Sequence, residues 1–69
     1  MTANEQISAN VRQLRTDLGL TQEIVAGRLN TRQSAVAALE LGHRGWTPET
    51  IAAMARALGV PVVLLMKGV

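Results

Sequence analysis

The sequence contains no cysteine, tyrosine or phenylalanine, and its 69 residues include one histidine and one tryptophan. Without cysteine the chain can form neither a disulfide nor a thiolate metal site, and His43 alone cannot supply a multi-histidine metal site. The five acidic residues are scattered along the chain with no histidine near them, and the glycines match no phosphate-binding loop. We therefore predict a protein that is not an enzyme and that binds no metal or cofactor.

The sequence also lacks a long apolar run. No stretch approaches the ~18 residues that would span a bilayer. The opening residues MTANEQ have neither the basic region nor the apolar core of a secretion signal. Hydrophobic residues nevertheless make up 48% of the chain, which excludes an intrinsically disordered segment. We expect a single domain over residues 1–69 that is cytoplasmic and has no membrane partner.

Signals for helix starts and ends divide the chain into short helices, and no strand pattern or repeat is present. Thr2 and Glu5 fit a capping box, while Thr47, Pro48 and Glu49 form the clearest helix start. Glycines follow the ends of several apolar stripes, as expected at helix C-termini. The sequence predicts an all-α fold of five short helices, at about 3–18, 22–29, 32–41, 48–58 and within 61–66.

Apolar residues at helical spacing predict the core. On the first four helices these are Ile7, Val11, Leu14, Leu18, Ile24, Val25, Leu29, Val36, Leu39, Ile51, Met54, Ala55 and Leu58. From the apolar tail, Val60 and Leu64 are expected to close this core. A helix of two turns cannot bury every remaining tail residue, so the rest should form a patch for pairing with a second copy. The residues predicted for this dimerisation patch are Val62, Val63, Leu65 and Met66.

The stretch LTQEIVAGRLNTRQSAVAALELG, Leu20–Gly42, resembles the Cro/repressor class of helix-turn-helix proteins, the lambda repressor-like or XRE class. Members share a T/S-Q-x-x-x-A run, a turn, a Q/R-S-x-V/I core and a terminal E-x-G. The resemblance implies a lambda repressor-like fold with a helix-turn-helix core at about 21–41. It also implies a nucleoid-associated homodimer that binds double-stranded DNA, with helix 3 in the major groove of a palindromic operator.

The resemblance also implies roles for individual residues. It places Gln33 against an adenine edge, Ser34 on a neighbouring base and Ala38 against a thymine methyl group. Gln22 would brace Gln33 and touch a phosphate. The full implied set is base reading by Arg32, Gln33, Ser34 and Ala38, phosphate contact by Gln22, Arg28 and Arg44, and a structural ion pair between Arg15 and Glu40.

Arg32 departs from the class, which usually has a small residue at this position. An arginine cannot cap helix 3 through its side chain, so either Thr31 or Asn30 must do so or the end frays. In exchange Arg32 gains a phosphate or guanine contact. For Arg28 and Arg44, ordinary solvated surface is the alternative to phosphate binding, and Trp46 is expected to pack between helices 3 and 4.

Two functions follow from these residues. The first is a sequence-specific transcriptional regulator, expected to act as a repressor. The alternative is an antitoxin or another protein-binding module on the same fold, with a toxin or an anti-repressor as its partner. Binding to a short palindrome that weakens steeply with salt would distinguish a DNA reader from a protein adaptor.

Overall fold

The computed structural model describes residues 1–69 and consists of five α-helices without a strand, so the predicted fold class is confirmed. The helices are α1 (Ala3–Asp17), α2 (Gln22–Arg28), α3 (Gln33–Glu40), α4 (Pro48–Leu58) and α5 (Val62–Leu65). Their bounds lie within one or two residues of the predicted ones. None of the helices is long and apolar enough to cross a membrane.

Side chains cap three of the helices as the sequence predicts. At the start of α1 the Thr2 hydroxyl accepts from the Glu5 amide at 3.1 Å, and the Glu5 carboxylate accepts from the Thr2 amide at 2.8 Å. Both hydrogen bonds lower the pKa of Glu5, the one from the Thr2 backbone more than the one with the Thr2 side chain. Thr21 and Thr47 cap α2 and α4 through their hydroxyls, which accept from the backbone N–H groups of Ile24 and Thr50.

The start of α3 has no such cap. Arg32 occupies the N-cap position without a side-chain hydrogen bond, and neither Thr31 nor Asn30 takes its place. Asn30 instead makes the turn from α2, with a left-handed φ of 56° that asparagine tolerates. The helix begins at Gln33, one residue later than predicted, so Gln33 and Ser34 form its first turn.

Eleven buried apolar side chains form one core shared by all five helices. They are Ile7, Val11, Val25, Ala26, Val36, Leu39, Met54, Ala55, Ala57, Leu58 and Leu65. Leu18 and Ile24 were predicted to belong to this set, and both predictions are wrong. Leu18 is the C-cap residue of α1 and is 47% exposed. On α2, Val25 and Ala26 face the core and leave Ile24 turned outward and 45% exposed. The helix is rotated about its axis relative to the predicted stripe.

Of the two tail residues predicted to close the core, Val60 packs against it, but Leu65 takes the place predicted for Leu64. Leu65 is fully buried, whereas Leu64 is 39% exposed and Val60 is only partly buried. The single turn of α5 lies against α1 and α4, and only one of its side chains points between them. The Asn10 amide holds this turn by donating to the carbonyl oxygens of Leu65 and Lys67, each at 2.8 Å.

Candidate nucleic-acid interface

Two glutamines meet where the starts of α2 and α3 come together. Gln22 is the first residue of α2 and Gln33 is the first residue of α3, and the tight turn at Asn30 brings the two helix starts side by side. The Nε2 group of Gln33 donates a hydrogen bond to Oε1 of Gln22. Gln33 is exposed and Gln22 is half-buried, so the pair presents its free polar atoms to solvent.

A partly buried ion pair lies directly behind these glutamines. Nε and Nη2 of Arg15 donate to the two carboxylate oxygens of Glu40 at 2.6 and 3.0 Å, and Nη1 of Arg15 donates to the Leu20 carbonyl at 2.9 Å. The bond to Glu40 raises the pKa of Arg15, and the side chain of Glu40 is only 2% exposed. Gln22 also donates to Oε1 of Glu40, at 3.1 Å. Hydrogen bonds therefore connect four side chains in series from α1 to the surface, in the order Arg15, Glu40, Gln22 and Gln33.

The outer face of α3 carries small side chains. Val36, Leu39 and Glu40 are buried, while the opposite stripe of Ser34, Ala37, Ala38 and Leu41 is exposed or half-exposed. Arg32 is exposed at the same end as Ser34, and neither side chain hydrogen-bonds to the protein. Leu41 ends the stripe in an exposed position, to which the sequence analysis gave no role. Its spacing of seven residues from Ser34 corresponds to two helical turns, which puts it on this face.

The two arginines predicted to touch phosphates lie in different parts of the fold. Arg44 is exposed in the loop between α3 and α4, and its side chain has no hydrogen-bond or ion-pair partner. Arg28 lies at the far end of α2 from Gln22, where its Nη1 donates to the Ala57 carbonyl at 2.8 Å. The structure therefore does not bring Arg28 together with the glutamine pair.

Trp46 fastens the loop that carries Arg44. Its indole N–H donates to the Ser8 hydroxyl at 3.0 Å, and that hydroxyl donates to the Leu39 carbonyl at 2.6 Å. The backbone N–H of Trp46 donates to Asn4 at 3.0 Å. The ring packs against the core, and the hydrogen bonds of Trp46 are with α1. Its predicted location between helices 3 and 4 stays a prediction. The loop is thus held against α1.

Only part of the predicted dimerisation patch is exposed. Leu65 is fully buried within its own chain, so its assignment to the patch is wrong, and Met66 packs partly against the core. Val62 and Val63 remain exposed, Val63 at 69%, and Leu64 joins them. The exposed aliphatic surface of α5 therefore consists of Val62, Val63 and Leu64.

Comparisons with known proteins agree with this architecture. The model of the helix-turn-helix family matches residues 11–65. An uncharacterized HTH-type transcriptional regulator of Sinorhizobium fredii is 38% identical over 66 residues, which cover 96% of this chain and 86% of that protein.

Solved structures show the same arrangement of helices. The clp gene regulator ClgR from C. glutamicum superposes with a TM-score of 0.90 at 26% identity, covering 94% of this chain and 84% of that one. The restriction-modification controller protein C.AhdI from Aeromonas hydrophila gives 0.82 at 31% identity, with coverages of 88% and 92%. The controller protein C.Esp1396I, solved as a tetramer with its natural 35 base-pair operator, shares the fold with a TM-score of 0.86 at 22% identity, covering 94% and 86%.

Proposed function

The chain belongs to the Cro/repressor class of helix-turn-helix transcriptional regulators, and we propose that it represses transcription by placing α3 in the major groove of a palindromic operator. The observation that carries this proposal is the pair of glutamine amides at the starts of α2 and α3. A glutamine can donate to N7 of adenine and accept from its N6 amino group at the same time. Gln33 is exposed and its amide is hydrogen-bonded to Gln22, which supports this role.

The small outer face of α3 supports the same placement. A major groove ~12 Å wide admits a helix most deeply where its side chains are short. In the proposed complex Ser34 reaches a base next to the one read by Gln33. Ala38 contacts a thymine methyl group, and Arg32 contacts a phosphate or a guanine.

In the proposed complex, contacts to the phosphate backbone of the DNA fix the position of the protein along the operator. Gln22 lies at the start of α2, where free backbone N–H groups and the helix dipole favour a phosphate. Arg44 supplies a second phosphate contact from a loop that Trp46 fastens to α1. We leave Arg28 out of this set, because its guanidinium bonds to Ala57 at the opposite end of α2.

We further propose that two copies pair through the exposed aliphatic surface of α5, formed by Val62, Val63 and Leu64. Three adjacent exposed aliphatic residues are a surface that a symmetric contact would cover. Pairing presents two copies of α3 to the two halves of a palindrome. The symmetry of DNA sequences selected by the protein tests this pairing, because a preferred site without two-fold symmetry would exclude it.

Gln33→Ala is expected to weaken binding to the preferred operator by ~1–3 kcal/mol and to relax the preference at one base pair in each half-site, since it removes the paired contact to adenine. Sequences selected from a random DNA pool by the wild type and by the variant give the measurement. Gln13→Ala, which truncates an exposed glutamine on α1, is the matched control and should select the wild-type sequence. Unchanged discrimination in Gln33→Ala would mean that α3 does not read DNA.

Arg44→Ala should weaken binding to all sequences about equally, because a phosphate contact carries no base information. It should also reduce the slope of log affinity against log salt concentration by about one phosphate contact. Titrations of specific and random duplexes at several salt concentrations measure both quantities. Arg56→Ala removes an arginine at the end of α4 and should leave the slope unaltered. If the wild type shows no salt-dependent DNA binding at all, a protein-binding role replaces this proposal.

A further inference from the structure

A continuous chain of hydrogen bonds, here called the relay, connects Arg15 on α1 through Glu40 and Gln22 to the amide of Gln33. Arg15 donates twice to Glu40, Gln22 donates to the same carboxylate at 3.1 Å, and Gln33 donates to Gln22. No other protein group bonds to the side-chain amide of either glutamine. The orientation of both amides within the protein therefore depends on this chain.

The chemistry of its two inner members sets the direction of the whole chain. A guanidinium can only donate hydrogen bonds, and an ionised carboxylate can only accept them. Gln22 must therefore turn its NH₂ group towards Glu40, which leaves its oxygen facing Gln33. Gln33 must then turn its own NH₂ group towards Gln22. A glutamine amide by itself has no such preference, because it can present either end.

We propose that Glu40 determines base specificity by fixing which end of the Gln33 amide faces the DNA. With one N–H bonded to Gln22, Gln33 presents its oxygen and its second N–H outward. One acceptor beside one donor matches the major-groove edge of adenine, whereas guanine presents two acceptors, N7 and O6. The inference rests on the proposed function of α3 and assigns a specificity role to a residue that touches no base.

The bond from Gln22 to Glu40 distinguishes this role from that of a purely structural ion pair. Arg15 alone supplies a donor to each oxygen of Glu40 and a further bond to Leu20, which is sufficient to tie α1 to α3. The additional bond from Gln22 leads away from the buried pair and towards the surface. Its evident effect is on the orientation of the two glutamines.

Glu40→Gln tests the proposal, because it replaces the carboxylate with an amide of nearly the same shape. Nε of Arg15 makes the shortest contact with the carboxylate, 2.6 Å to Oε2, and should keep the oxygen of the new amide at that position. The NH₂ group then takes the place of Oε1, where it faces both Nη2 of Arg15 and Gln22. Gln22 must then present its oxygen inward and its NH₂ group outward, and Gln33 must accept from it. Gln33 would offer two N–H donors to the DNA, the pattern that guanine accepts. The expected result is that a preference of about tenfold for adenine over guanine at this base pair is lost or reversed.

Gln22→Met is the second variant, and it leaves the contact between Arg15 and Glu40 intact. Without Gln22 the Gln33 amide is free to present either end, so adenine and guanine should be bound within about twofold of each other. Both variants are compared with the wild type on duplexes that differ only at this base pair, after circular dichroism and thermal melting have established that they fold. Gln22→Met keeps the proposal testable if Glu40→Gln does not fold.

The wild type and Gln33→Ala separate failure of this inference from failure of the proposed function. If Gln33→Ala relaxes the preference at this base pair but the two relay variants retain the wild-type ratio of adenine to guanine, Glu40 has only a structural role. If Gln33→Ala itself changes no preference, the placement of α3 is wrong and the relay has nothing to orient. A ratio that moves in the relay variants, with the preference at other base pairs unchanged, supports the proposal.

Discussion

Arg15→Met is expected to lower the free energy of unfolding by about 3 kcal/mol, because it leaves the buried carboxylate of Glu40 without its cationic partner. The substitution also removes the donor to the Leu20 carbonyl, which helps to join the end of α1 to the start of α2. In a domain of 69 residues this loss is a large part of the total stability. The same contact raises the pKa of Arg15, because the carboxylate of Glu40 stabilises the charged guanidinium.

Thermal unfolding followed by circular dichroism measures this effect. For a domain of this size, 3 kcal/mol corresponds to a fall in Tm of about 12–24 °C. Arg12→Met makes the same change one turn earlier on α1, at an exposed position, and should shift Tm by no more than a few degrees. Equal melting temperatures for the two variants would show that the pair of Arg15 and Glu40 does not stabilise the fold.

Leu65→Ala is also expected to cost about 3 kcal/mol, within the range of ~2–5 kcal/mol for truncating a buried leucine. Leu65 is fully buried where α5 meets α1 and α4, so the variant loses the transfer free energy of its side chain and leaves a cavity. The effect should be the same at all protein concentrations, because the residue packs within its own chain.

Leu64→Ala is the matched control, since it makes the same change at the neighbouring position. Leu64 is partly exposed, so in the monomer its truncation should cost less than 1 kcal/mol. Urea unfolding at two protein concentrations compares the variants. A loss in Leu64→Ala as large as that in Leu65→Ala would reverse the assignment of the two leucines. A loss in Leu64→Ala that grows with protein concentration would point to the proposed pairing.

The helix boundaries could be predicted because their signals are local. The capping box of Thr2 and Glu5, the threonine caps and the turn at Asn30 each depend on a few adjacent residues. The same is true of the missing cap at Arg32, which follows from the lack of an acceptor in an arginine side chain. Such features do not require knowledge of which helix packs against which.

The errors in α2 and α5 concern how short helices are rotated about their axes. α2 has two turns and α5 has one, so several rotations would bury similar numbers of aliphatic side chains. The choice of Leu65 over Leu64 is made by α1, whose Asn10 clamps the end of α5 from 55 residues away in sequence. The burial of Ala26 instead of Ile24 likewise depends on the helices packed against α2.

The candidate site was predicted in part, because the resemblance supplied residue positions but not their connections. Gln22 and Glu40 are 18 residues apart, and nothing in their spacing indicates a hydrogen bond. The contact of Trp46 with Ser8 spans 38 residues and also depends on the complete fold. Arg28 is an example of a contact that its position in the sequence does not indicate. Its charge and its place on α2 suggested phosphate binding, but in the fold its guanidinium donates to the Ala57 carbonyl.

The residues on the outer face of α3 differ in how freely they can change during evolution. The side chains of Arg32 and Ser34 are exposed and make no hydrogen bond within the protein, so under the proposed function substitutions there would change the preferred DNA sequence at little cost in folding. Gln33 is tied through Gln22 to a buried carboxylate, so a substitution at Gln22 or Glu40 also changes the partner that orients the Gln33 amide. If α3 reads DNA as proposed, new operator preferences should arise by independent substitution at Arg32 and Ser34, whereas the preference at the base facing Gln33 depends on Gln22 and Glu40 as well.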